Sequence, residues 1–144
     1  MSCPYFYPVE PRTIDSDPQT ALLPLGNLWD GFCRAVPGRT EPPEEAVIRP
    51  LCHLGYARST CTRFPTDDPG PDAVRFTISR DDGRSLYLNY VLEQDHHPFA
   101  HGPLEYSIAA AGLVQAPPSE TVCRQAEAYI TSYLQRKARV AASI

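Results

Sequence analysis

Four cysteines, Cys3, Cys33, Cys52 and Cys61, lie in the first 61 of the chain's 144 residues, and only Cys123 lies beyond them. The same segment is repeatedly interrupted by proline, of which the chain has 16, about twice the usual share. Because proline breaks helix interiors and central strands, residues 1–70 are predicted to be irregular. Such a segment buries little apolar area against an ordering cost of roughly 1–2 kcal/mol per residue, so it needs another source of stability.

A bound metal would stabilise this segment more than a disulfide would. A structural metal contributes on the order of 10–16 kcal/mol of apparent binding free energy, whereas one disulfide adds about 2–4 kcal/mol. The amino terminus has no basic stretch followed by an apolar run, and no 18 consecutive residues are apolar. We therefore expect a soluble, cytoplasmic protein with no membrane partner. The cytoplasm is reducing, and cysteines there bind metals more often than they form disulfides.

The spacing of the four cysteines bears on which metal they hold. Consecutive cysteines are separated by 29, 18 and 8 residues, so the close pairs of zinc fingers and ferredoxins are missing. The ligands must then be gathered from separate loops by folding. We predict that Cys3, Cys33, Cys52 and Cys61 bind a [4Fe–4S] cluster, with zinc as the alternative. Unpaired core cysteines, disulfides and a three-cysteine site completed by His53 are further interpretations.

Arginine and aromatic side chains surround these cysteines in the sequence. Arg34, Arg49, Arg58 and Arg63 each lie within three residues of a cysteine, where a guanidinium group favours thiolate over thiol. Tyr5, Phe6 and Tyr7 follow Cys3 closely and are expected to shield a cluster from water. Cys123 falls at the edge of the apolar stripe of a predicted helix and is excluded from the site.

The second half of the chain has clear periodicity. Alternating apolar residues on both sides of Asp81-Asp82-Gly83 predict a β-hairpin over about 73–93. A third strand is expected over Leu104 to Ile108, and helical spacing after Ser119 predicts a long C-terminal helix over about 119–139. In the first half, short helices are expected at Leu28 to Val36 and at Glu44 to Leu54. The predicted fold class is α+β.

We expect one domain over residues 1–144, in which a cysteine-rich half, 1–70, packs on a hairpin and helix half, 71–144. Because the metal supplies the stability that the first half lacks, that half is predicted to be ordered only when metal is bound, while the hairpin and the helix persist without it. The formal net charge of −4 gives no electrostatic reason to expect nucleic acid as a partner.

One other group of residues could bind a metal or take part in catalysis. His96, His97 and His101 lie close together, and imidazole ligates metals and titrates near neutral pH. Pro98 and Gly102 predict a loop here. No catalytic motif accompanies the histidines, so an enzyme is not the favoured interpretation.

These observations predict a small iron–sulfur protein whose cluster is structural or redox-active. Its role would be electron transfer, with a protein redox partner, or that of an accessory subunit in a larger complex. The alternatives are a zinc-stapled interaction module with no redox role and, third, a small enzyme that uses the histidine loop.

Overall fold

The part of the chain that the structure describes forms two antiparallel β-sheets and one long helix, which confirms the mixed α and β class. The computed structural model describes residues 1–12, 22–38, 41–115, 117 and 119–142. A two-stranded sheet pairs β1 (Phe6–Pro11) with β2 (Trp29–Cys33). A four-stranded meander contains β3 (Ala73–Asp81), β4 (Ser85–Gln94), β5 (His97–Ser107) and β6 (Gly112–Gln115). Helix α1 (Glu45–Val47) precedes the meander, and helix α2 (Glu120–Ala142) follows it.

The predicted hairpin is confirmed as β3 and β4. Its turn is held by acidic side chains: Asp81 accepts the backbone N–H of Gly83 at 2.9 Å, and Asp82 accepts those of Arg84 and Ser85 at 2.9 and 2.7 Å. Gly83 has a φ of 82°, a conformation that glycine adopts without a steric penalty. The turn chemistry that identified the hairpin therefore also fixes its register.

The third strand is longer than predicted, and the prediction that the histidines lie in a loop is wrong. Strand β5 begins at His97, so His97 and His101 lie in a strand and only His96 lies in the β4–β5 turn. Among the described residues, β6 pairs with Glu105–Ser107, and no strand pairs with the outer side of the first part of β5, where Pro98 is tolerated. Gly102 leaves room for the Tyr90 ring, which a Cβ would approach to 2.9 Å.

The first half has more regular structure than its prolines suggested. The prediction of a helix at Leu28 to Val36 is wrong, because this segment forms β2 and pairs with β1. The helix expected at Glu44 to Leu54 is present as α1 followed by a π-helical turn, Ile48–His53, which contains Pro50. Gly55 ends it at a φ of 74°, where a Cβ would lie 2.8 Å from the Met1 carbonyl oxygen.

Helix α2 joins the two halves of the chain. It begins as predicted after Ser119, whose hydroxyl accepts the backbone N–H of Val122 at 3.3 Å. One continuous core contains Phe6 and Trp29 from the first half together with Leu88 and Ile130 from the second. Within the described part of the chain, no helix has the length and hydropathy that a membrane crossing requires.

Candidate metal centre

The four cysteines of the first half line a single cavity. Its walls also include Tyr5, Phe6, Ala35, Leu51, Ala57 and Phe64. No histidine, carboxylate or amide side chain is among these residues. The folding therefore brings together Cys3, Cys33, Cys52 and Cys61, which are far apart in sequence, in surroundings that are otherwise apolar.

Each cysteine is held by a different segment. Cys3 precedes β1, and its backbone N–H donates to the Cys52 carbonyl at 2.9 Å. Cys33 is the last residue of β2 and pairs with Phe6. Cys52 lies in the π-helical turn, and the backbone N–H of Cys61 donates to the Ala57 carbonyl at 2.7 Å in the following turn. Backbone hydrogen bonds thus fix all four positions.

Aromatic rings close part of the cavity. Tyr5 and Phe64 meet edge to face with ring centroids 5.2 Å apart, and the Tyr5 hydroxyl donates to a carboxylate oxygen of Asp68. Phe6 is 1% exposed. Of the three aromatic residues expected to shield the site, Tyr5 and Phe6 line the cavity. Tyr7 instead stacks on Phe32, with ring centroids 4.9 Å apart.

The thiols influence one another electrostatically. Burial, followed by the charges of Cys3, Cys33 and Cys61, raises the pKa of Cys52 to about 12. Burial, followed by the charges of Cys33 and Cys61, also raises the pKa of Cys3 well above its ordinary value. An apolar cavity cannot hold several thiolates without a compensating positive charge, which a bound metal provides.

The two sides of the cavity differ in exposure. Cys3 and Cys52 are 7% and 9% exposed, whereas Cys33 and Cys61 are half-buried. The backbone N–H of Ala35 donates to the Cys33 sulfur at 3.4 Å. Hydrogen bonds of this kind to a ligating sulfur stabilise its negative charge and tune the potential of a bound cluster.

The four arginines near the cysteines have separate roles. The charge of Arg63 offsets a small part of the rise in the pKa of Cys52, which burial and the other thiols dominate. Arg58 contacts Asp72 at 2.6 Å and organises the loop that carries Pro65 and Gly70. Arg34 lies over the Tyr7 ring and pairs with Glu120 at 3.3 Å. Arg49 has a charge effect on His53.

His53 does not face the cysteine cavity. Its ring is buried, and Nε2 lies 3.1 Å from the backbone nitrogen of Trp29 and 3.0 Å from its carbonyl oxygen. Burial lowers the pKa of His53 to about 4. The His53 side chain therefore connects the π-helical turn to β2. This geometry does not support a three-cysteine site completed by His53.

The histidines of the β4–β5 region do not form a cluster. His96 stacks on the Tyr56 ring at a centroid distance of 4.1 Å, while His97 and His101 are exposed on β5. In the ranges that the structure describes, no three His, Cys, Asp or Glu side chains are arranged to hold a single metal ion. This applies to the four cysteines too, which surround a cavity without converging on one point.

Sequence reasoning missed one residue that positions the site. Gln125 of α2 is fully buried, and its Nε2 donates to the carbonyls of Cys3 and Phe6, both at 2.7 Å. Its Oε1 accepts the Ser2 hydroxyl at 2.7 Å. The available signal was a polar residue between Val122 and Ala126 on the apolar stripe of the helix, where a buried amide must find partners.

Cys123 lies outside the site, as expected from its place on the predicted helix. It is half-buried on α2, where its sulfur lies 3.9 Å from a carboxylate oxygen of Glu127. It is not among the residues that line the cavity. Cys123 is therefore a suitable control position for experiments on the other four cysteines.

Comparison with known proteins finds no matching family model, no matching curated protein and no matching solved structure.

Proposed function

We propose that this chain is a small cytoplasmic iron–sulfur protein whose [4Fe–4S] cluster is bound by Cys3, Cys33, Cys52 and Cys61. The observation that supports this proposal is that four cysteines, from four separate segments, line one apolar cavity. Two of the four are buried, and the surrounding aromatic and aliphatic side chains limit the contact of that side with solvent, which would influence the potential of a bound cluster.

We prefer a cluster to a single zinc ion because of how the ligands are spaced along the chain. Structural zinc sites commonly use two cysteines that lie two to four residues apart, and no such pair occurs among these four. A cluster has an iron at each of its four corners, so its ligands can come from four separate segments that lie around it.

The donor set fits both structural and redox use of the cluster. Ligation by four cysteines leaves no iron open to a substrate, so electron transfer fits this set better than catalysis. The half-buried Cys33 and Cys61 bring one side of the cluster near the surface, where a protein redox partner can approach. The chain's own residues would hold the cluster, exclude water and balance the charge of the thiolates.

Alanine variants of the cysteines test the proposal. We expect Cys3→Ala, Cys33→Ala, Cys52→Ala and Cys61→Ala each to abolish or strongly reduce the broad visible absorption of the anaerobically purified protein, because each removes one ligand. The matched control, Cys123→Ala, should keep the parent's absorption and iron content. Retention of the parent's iron content by all four variants would refute the site, and bound zinc in a colourless parent would support the interaction module instead.

A further inference from the structure

A second depression adjoins the cysteine cavity. We call it the outer cleft; residues from the segments 43–52 and 60–63 line it together with Cys33. Three of the four cysteines line both spaces: Cys33, Cys52 and Cys61. Cys3 lines only the inner cavity. Because Thr60 on the wall of the outer cleft is exposed, small solutes reach these cysteines from this side.

The cysteines differ in how open they are to such a solute. All of them carry free thiols, but Cys33 and Cys61 are half-buried, whereas Cys3 and Cys52 are 7% and 9% exposed. The reaction of a thiol with a small disulfide requires access to the thiol sulfur. Cys33 and Cys61 are therefore the two positions of the outer cleft that a small disulfide can reach.

The wall of the outer cleft is mixed in character. Val47 contributes apolar surface, and Thr60 contributes a hydroxyl group. Glu44 and Arg63 line the cleft with opposite charges, and a nitrogen of Arg63 also lies 3.9 Å from a carboxylate oxygen of Glu41. Because these charges oppose one another, the cleft selects a solute by its size rather than by its charge.

We propose that the outer cleft is a modification site, in which Cys33 and Cys61 of the metal-free chain form mixed disulfides with small disulfide molecules. In each step the cysteine sulfur attacks one sulfur of the small disulfide, so that a new S–S bond forms as the original one breaks. The departing half leaves as a thiol and takes up the proton that the cysteine gives up. The small disulfide is the oxidant, and no metal takes part.

Peptide mapping of the whole chain tests this selectivity. The protein is freed of metal with a chelator, incubated with the uncharged bis(2-hydroxyethyl) disulfide, and alkylated, and each cysteine is then quantified by mass spectrometry. Cys33 and Cys61 should be modified roughly tenfold faster than Cys3 and Cys52, because the latter two require local opening of the structure. In concentrated urea the four rates should become similar. Similar rates without urea would overturn the proposal.

A tryptophan in the outer cleft tests whether the cleft is the route to the two sulfur atoms. Thr60→Trp narrows the cleft and should slow modification of Cys33 and Cys61 several-fold. The rate at Cys123, which is half-buried on α2 and does not line the cleft, should stay that of the parent. Val114→Trp, at an exposed position of β6, is the matched control and should change none of these rates. Unchanged rates at Cys33 and Cys61 in Thr60→Trp would overturn the cleft as the route.

The modification has a consequence for the cluster, and this consequence alone rests on the proposed function. Mixed disulfides at Cys33 and Cys61 occupy two of the four proposed ligands, so the modified chain should take up no iron and sulfide until dithiothreitol restores the thiols. A chain that shows the selective modification but binds no iron after this reduction would overturn the proposed function and leave the modification site standing. Iron binding by a chain whose cysteines react without selectivity would have the opposite meaning.

Discussion

The side-chain amide of Gln125 donates to the backbone carbonyl of Cys3 at 2.7 Å, which connects the first cysteine directly to helix α2. The same nitrogen donates to the Phe6 carbonyl, also at 2.7 Å. Gln125 and Cys3 are 122 positions apart in the chain. The cysteine nearest the amino terminus is therefore positioned by the last helix, and the site depends on the whole fold.

We predict that Gln125→Leu destabilises the protein and weakens the site. The substitution leaves two buried carbonyls without their side-chain donor, which should cost about 2–4 kcal/mol in the free energy of unfolding. Urea unfolding measures the loss, and iron per chain should fall with it. Gln94→Leu is the matched control, because Gln94 donates to the carbonyls of Pro69 and Gly70 away from the cysteines. Equal iron loss in both variants would show that Gln125 has no special role.

The hydrogen bond from the Ala35 backbone N–H to the Cys33 sulfur leads to a prediction about the reduction potential of the proposed cluster. Ala35→Pro removes the backbone N–H that contacts this sulfur at 3.4 Å, so a cluster bound as proposed would lose a donor that stabilises its more negative, reduced state. The midpoint potential should become more negative, as measured by a redox titration. Ala35→Gly keeps the N–H and should stay close to the parent. An unchanged potential in the proline variant would mean that this bond does not tune the cluster.

The carboxylate of Asp81 makes an independent prediction about acid stability. The Lys137 ammonium at 2.7 Å, the Tyr133 hydroxyl at 2.7 Å and the Gly83 N–H lower the pKa of Asp81 from 3.8 to about 2. A lowered carboxyl pKa stabilises the fold above the unfolded-state value and loses that effect as pH falls toward 2.

Asp81→Asn should therefore be less stable than the parent at pH 6, and the difference should disappear between about pH 4 and pH 2. Thermal unfolding across this range measures it. Asp67→Asn, at an exposed position in the cysteine-rich half, serves as the comparison variant. A stability difference for Asp81→Asn that persists unchanged at pH 2 would contradict the role of the charge.

Removing the cluster should destabilise more than the first half. From sequence, the hairpin and helix were expected to persist alone, but Trp29 donates to Ser132 of α2 at 3.1 Å and shares one core with the second half. We expect chelation of the iron to lower the apparent free energy of unfolding by several kcal/mol and to reduce the helix signal and the tertiary signal together. If the unfolding transition seen by Trp29 fluorescence is lost while the transition seen by the helix signal is unchanged, the two halves of the chain unfold independently, which would contradict this prediction.

The hairpin and α2 were predictable from sequence because their signals are local. The alternation around Asp81-Asp82-Gly83 and the Ser119 cap each specify a structure within a few residues. Strand β2 was mistaken for a helix because Leu28, Phe32 and Val36 have helical spacing, and pairing with β1 overrides it. The proximity of the four cysteines was expected from composition, but their separate supports and Gln125 depend on contacts between distant segments, which periodicity does not reveal.

Measurement of iron, acid-labile sulfide and zinc in the anaerobically purified chain tests the central claim most directly. Four cysteines around one apolar cavity predict about four iron and about four sulfide per chain, with visible absorption that bleaches on reduction. A colourless protein with one zinc per chain, or with no metal and a fully ordered cysteine-rich half, would contradict it.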